Sequence, residues 1–136
     1  MIVLMIDVAR QMRYWKNSAE RNWQSALVLF RNKHFDACLF FVHLTIEKVL
    51  KGLVVLRTQQ LAPFIHDLVK LARLAELTPT KEQIEQLEMI NTFNIAGRYD
   101  NAKFDFYKRC TPVYTKTNLA KSKRIYLWLK KEYQKK

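Results

Sequence analysis

Two groups of residues in this chain have the types and spacing that chemistry could use. The first is the Gly-Arg-Tyr-Asp run at Gly97–Asp100, set between two helical patterns where an ordinary connector would carry only Gly, Asn and Ser. A glycine after a helical pattern reads as a helix stop, because it takes the left-handed conformation cheaply. Arg98 would then project from a helix end, a position suited to gripping phosphate or carboxylate. Tyr99, Asp100 and Lys103 complete this candidate binding set. A structural alternative stays open: Arg98 paired with Glu47 or Asp100, pinning the segment. The second group is His43, Glu47 and Lys51, each four residues from the next and therefore on one helix face. They form a polar strip across an otherwise apolar helix. Of the three, His43 has the pKa suited to proton transfer. The plainer readings are a satisfied core histidine and a routine Glu47–Lys51 helical ion pair. His66 and Asp67 open a third helix, where Asp67 fits a cap and His66 capping or packing.

A third feature is charge. Residues 1–97 hold 12 Lys+Arg against 9 Asp+Glu, whereas residues 98–136 hold 12 against 3. The net charge of +12 is thus concentrated at the C-terminal end, which favours a polyanionic partner. Lys121, Lys123, Arg124, Lys130 and Lys131 interleave there with Tyr126, Trp128 and Tyr133, a pattern that suits single-stranded RNA. Leu119, Ser122, Tyr126, Leu129 and Tyr133 also form a core stripe, so a solubilising helix remains open.

These residues must be positioned by helices. Only two glycines and three prolines in 136 residues leave few turns, and 49% apolar content suits one domain with one core. The stripe Val8, Met12, Trp15, Ala19, Trp23, Ala26, Phe30 predicts a first amphipathic helix. Asn32 is the expected cap of a second, over Lys33 to Thr58. That helix is apolar around most of its circumference, hence central or covered by a second subunit. A third begins near His66-Asp67 with Leu68, Leu71, Ala72 and Ala75 inward. Thr80 with Gln83 matches a capping box for a fourth. A last helix is expected over Thr117 to Tyr133, with residues 98–109 as a loop. Residues 1–7 read as a frayed lead-in and 134–136 as a basic tail to a single domain. Cys38 and Cys110 lack any framework and point to a reduced, cytoplasmic protein with Cys38 buried. His34, His43 and His66 lack ligand spacing with either cysteine, so neither a metal nor another cofactor is expected. The N-terminal apolar run is too short for a signal segment, and no membrane span is expected.

Phe41-Val42-His43-Leu44-Thr45-Ile46-Glu47-Lys48-Val49-Leu50-Lys51-Gly52, then His66-Asp67-Leu68, then Phe93 to Asp100, then Phe106-Tyr107 and the Tyr- and Lys-rich last helix form an ordered series. From about Trp15 to the C-terminus this series resembles the HEPN family, the "higher eukaryotes and prokaryotes nucleotide-binding" domain. The resemblance implies an all-α fold, an antiparallel four-helix up-and-down bundle with a short additional helix, and homodimers around a polar pocket. It also implies a minimal nucleotidyltransferase partner in a toxin–antitoxin pair, which silences the HEPN protein by adding AMP to a tyrosine. Tyr99 is the candidate by position.

In the nuclease branch of the family, an arginine followed four to six residues later by histidine cleaves RNA without metal. Here Arg98 is present, but no histidine follows it anywhere in the chain. Cleavage needs a group to take the 2′-hydroxyl proton, and an ordinary lysine is charged at neutral pH. The catalytic candidates are accordingly Arg98, Lys103 and His43. The binding candidates are Arg98, Tyr99, Asp100, Lys103, Glu47 and Lys51, toward nucleotide or RNA. The first reading is a dimeric binding module. The alternatives are an endoribonuclease toxin with a degenerate motif, and a purely structural interaction module.

Overall fold

Asp7 opens the first helix: its carboxylate accepts the Arg10 backbone N–H at 3.0 Å, satisfying one of the donors a helix start leaves free. A computed structural model of the chain describes residues 6–135, so residues 1–5 of the expected lead-in and Lys136 of the tail lie outside them. Six helices follow in order: α1 (Val8–Arg31), α2 (Phe35–Thr58), α3 (Leu68–Leu74), α4 (Lys81–Asn91), α5 (Asp100–Arg109) and α6 (Pro112–Glu132). No strand occurs among the described residues.

The connector after α1 is so short that α2 must run back along α1. Asn32 closes α1 rather than opening α2, and Lys33 takes the left-handed conformation at φ 63° to turn the chain. His34 stands at the start of α2 without a side-chain cap bond. α6 also runs antiparallel to α1, since Trp23 packs on Tyr126 while Lys16 lies over the Tyr133 ring. α4 opposes α6: Tyr114 at the start of α6 reaches Met89 at the end of α4, and Ile125 faces Gln83 nearer its start. The four longer helices α1, α2, α4 and α6 thus alternate in direction as an up-and-down bundle, with α3 and α5 as short additions.

α2 is the central element. Cys38, Leu39, Val42, Ile46, Val49, Leu50, Leu53, Val54 and Val55 are all buried in it. The chain's own helices cover most of the apolar circumference for which a second subunit was an option; Phe40, Phe41 and Leu44 remain half-buried. The expected inward residues of α3 (Leu68, Leu71, Ala72, with Ala75 as its cap) are buried, as are Leu87 and Ile90 of α4. The Thr80–Gln83 capping box is formed in both directions. Asp67 caps α3, accepting from Val69 N–H at 3.0 Å, and also accepts from the Asn91 side chain at 3.1 Å, tying the end of α4 to the start of α3. Both cysteines are free and buried, and burial pushes each thiol up to about 12.

Two further boundaries differ from the sequence reading. Residues 100–109, expected as loop, form α5. α6 begins at Pro112, five residues early, because Thr111 caps it and Pro112 sits where a missing N–H costs nothing.

Candidate functional site

Glu47 is the hub of the polar strip on α2. It is buried, with Lys51 Nζ 3.3 Å from its Oε2 and His66 Nδ1 2.9 Å from its Oε1. The i,i+4 spacing makes the first contact local; the second reaches across 19 residues from the start of α3. Lys51 is itself buried and lies 5.5 Å from the centre of the Trp15 ring, so a π-face and a carboxylate share its charge. His66 is largely exposed apart from this bond. Its role is therefore to tether the α2–α3 junction, more than the capping or packing expected of it.

His43 sits one turn before Glu47 and is 1% exposed. Its Nδ1 stands 4.0 Å from Glu47 Oε1, too far for a hydrogen bond, and neither ring nitrogen has a partner. Burial holds its pKa below the usual histidine range, with Lys51 and His66 adding repulsion. Glu47 and the nearby His66 backbone oppose the shift, the latter without the geometry of a hydrogen bond. The ring is neutral at neutral pH and closed off from solvent, a core histidine left unsatisfied.

Arg98 lies elsewhere in the fold. Gly97 does take a left-handed φ of 76°, but not as the stop of α4, which ends at Asn91. Arg98 follows it in a turn closed by the Arg98 N–H to Ile95 carbonyl bond at 3.2 Å and leads into α5. Its side chain is exposed and pairs with neither Glu47 nor Asp100, so the pinning ion pair is not formed. Tyr99 stands at the start of α5, 88% exposed and with no capping bond. Asp100 sits in the first turn, where a carboxylate complements the helix dipole. Lys103 is exposed. In α5 only Phe106 is buried, against Phe93 at 6.1 Å between ring centres.

The sequence reading passed over Phe104 on this helix and met Tyr107 only within the family series. Phe104 and Tyr107, three apart, stack outside at 6.1 Å with 22° between ring planes, 57% and 59% exposed. Lys108 Nζ lies 4.9 Å from the Phe104 ring centre. The signals were present in Asp100 at one end and Lys108-Arg109 at the other, the charge order of a helix. The basic and aromatic residues of α6 do not form a similar surface. Tyr126 is buried, Trp128 donates to Glu132 at 3.2 Å, and Tyr133 donates to the Val49 carbonyl at 2.7 Å, so these rings serve packing.

A family model described as "HEPN domain" matches residues 12–133. The chain belongs to the HEPN domain family. Among solved structures, this HEPN domain is similar to TT1696 from Thermus thermophilus, with a TM-score of 0.74 and 19% identity over 90% of this chain and 98% of that one. So low an identity speaks for the shared helical fold alone. No curated protein matches the chain. Among its described residues the HEPN domain has no helix long and apolar enough to cross a membrane, and no cluster of side chains that could hold a metal ion.

Proposed function

We propose that this HEPN domain is a dimeric nucleotide- or nucleic-acid-binding module that works with a minimal nucleotidyltransferase in a toxin–antitoxin pair. The observation that supports it best is the outward face of α5 and the turn before it. Arg98, Lys103 and Lys108 are exposed there, as are the rings of Tyr99, Phe104 and Tyr107, and Lys108 lies over the Phe104 ring. Stability alone does not call for exposed rings on a helix that buries one side chain. Cations and open ring faces together supply the two contacts single-stranded RNA needs, phosphate neutralisation and base stacking. Arg98 is the chief phosphate ligand, because its guanidinium is free and can bind two oxygens at once. Glu47 and Lys51 neutralise each other inside the bundle and act by positioning α2 and α3.

The partner enzyme's chemistry fits the same face. Transfer of AMP from ATP to the Tyr99 hydroxyl, with release of pyrophosphate, would place a phosphodiester beside Arg98 and Lys103 and occupy the cations RNA requires. The dimer face is the apolar groove between α1 and α2, about 420 Å³, lined by exposed Val28 and half-buried Leu29 and Phe41.

Fluorescence anisotropy with a labelled single-stranded RNA tests the reading. Arg98→Ala weakens binding at least about tenfold, the weight of one charge-assisted contact. Arg98→Lys recovers only part, since charge returns without the bidentate geometry. Equal affinity of wild type and Arg98→Ala, both folded, removes Arg98 from the site. RNA cleavage by the wild type that disappears in Arg98→Ala assigns the nuclease activity instead.

A further inference from the structure

Helices α4 and α6 leave a cleft of about 290 Å³ between them, to which α5 contributes nothing. Its walls are two helical faces. Gln83 and Gln86, one turn apart on α4, look across at Lys121 and Arg124, one turn apart on α6. Ile125 makes a buried apolar floor, and Glu82 stands on the rim. Neither Lys121 nor Arg124 pairs with a carboxylate among the described residues, although Glu82 lines the same cleft. Two cations left unneutralised in one concavity make a favourable place for an anion. The first turn of α4, an eleven-residue helix, adds the positive end of its dipole.

The remaining groups narrow the choice of anion. Gln83 Oε1 accepts the Thr80 N–H at 2.9 Å, which leaves its amide hydrogens free to donate. Gln86 offers a donor and an acceptor, and Glu82 offers acceptors only. A carboxylate on the rim disfavours a highly charged ligand and favours one that carries hydroxyl groups beside a single phosphate. We infer that the α4–α6 cleft binds a small hydroxyl-bearing phosphomonoester. Its phosphate lies on Lys121 and Arg124, and its hydroxyls on Gln86 and Glu82. This site is independent of the RNA reading of α5, and either can stand without the other.

Isothermal titration of the full chain with ribose 5-phosphate, AMP and inorganic phosphate tests it. Ribose 5-phosphate and AMP bind, inorganic phosphate at least about tenfold more weakly, since it makes none of the hydroxyl contacts. Joint replacement Lys121→Gln and Arg124→Gln costs at least about tenfold in affinity for both. Gln86→Phe, which fills the cleft without touching a charge, also abolishes binding and guards against misfolding of the double variant. Equal affinities for AMP and ribose 5-phosphate identify a sugar phosphate as the ligand; tighter AMP identifies a nucleoside monophosphate. The proposal is overturned if the wild type shows no binding at millimolar ligand, if inorganic phosphate binds as well, or if the Lys121→Gln, Arg124→Gln double variant keeps the wild-type affinity.

Discussion

His43 is a residue at which this fold departs from ordinary practice, with both ring nitrogens buried and unpaired. A buried imidazole with no hydrogen-bond partner is uncommon and costs stability. It has a consequence for pH. In the unfolded chain the ring titrates near 6.5, whereas burial holds it lower in the fold. Between those two values the unfolded state binds more protons, so stability is complete above about pH 6.5 and falls as the pH drops. At its steepest this one group contributes about 1.4 kcal/mol per pH unit. Urea unfolding at pH 7.5 and pH 5.5 should show the loss, and His43→Leu should remove that part of the slope. An unchanged slope in the variant would mean that other groups carry the acid sensitivity. Arg98 is the opposite case at the same scale: exposed and unpaired, it has little to contribute to stability, and its replacement should be felt in binding.

Among the elements, α2 is approached closely at Gly52 by Trp15 of α1 and by Tyr133 at the end of α6. Gly52 sits mid-helix, where alanine would ordinarily add about 1 kcal/mol of stability. Here a methyl group would run into the Tyr133 hydroxyl and approach Trp15 Cβ to 3.1 Å. Tyr133 cannot swing aside without losing its 2.7 Å bond to the Val49 carbonyl. Overpacking of this kind costs about 1–3 kcal/mol, so it outweighs the helix preference. Gly52→Ala is expected to lower the urea midpoint. In a Tyr133→Phe background, with the hydroxyl gone, the same substitution should be neutral or stabilising. A raised midpoint for Gly52→Ala alone would show that the helices do not approach this closely in solution.

For the whole molecule, charge and apolar surface are separated along the sequence. Most of the positive surplus lies in residues 98–136, while the open groove of Val28, Leu29 and Phe41 belongs to the nearly balanced first part. Two copies can therefore meet through α1 and α2 without pressing basic surfaces together. Light scattering at micromolar concentration should give the mass of two chains. Val28→Lys should give that of one, with the helical circular dichroism retained. A monomer in the wild type would leave the groove for another partner.

What the sequence by itself determined here is local. Apolar periodicity located α1, α2 and the inward faces of α3 and α4; Asp67 and the Thr80–Gln83 box marked starts because capping acts within one turn. The Glu47–Lys51 pair follows from four-residue spacing alone. The order of motifs along the chain was enough for the family. The tertiary structure decided whatever depends on residues far apart. It brought His66 to Glu47, and it left Arg98 without the carboxylates that spacing allowed. It also set Lys121 and Arg124 opposite Gln83 and Gln86. α5 lay between these cases: its end charges were readable, but with one buried side chain it lacks the apolar stripe by which a helix is recognised. A surface helix turned outward hides its pattern, because binding and folding ask its residues to face opposite ways.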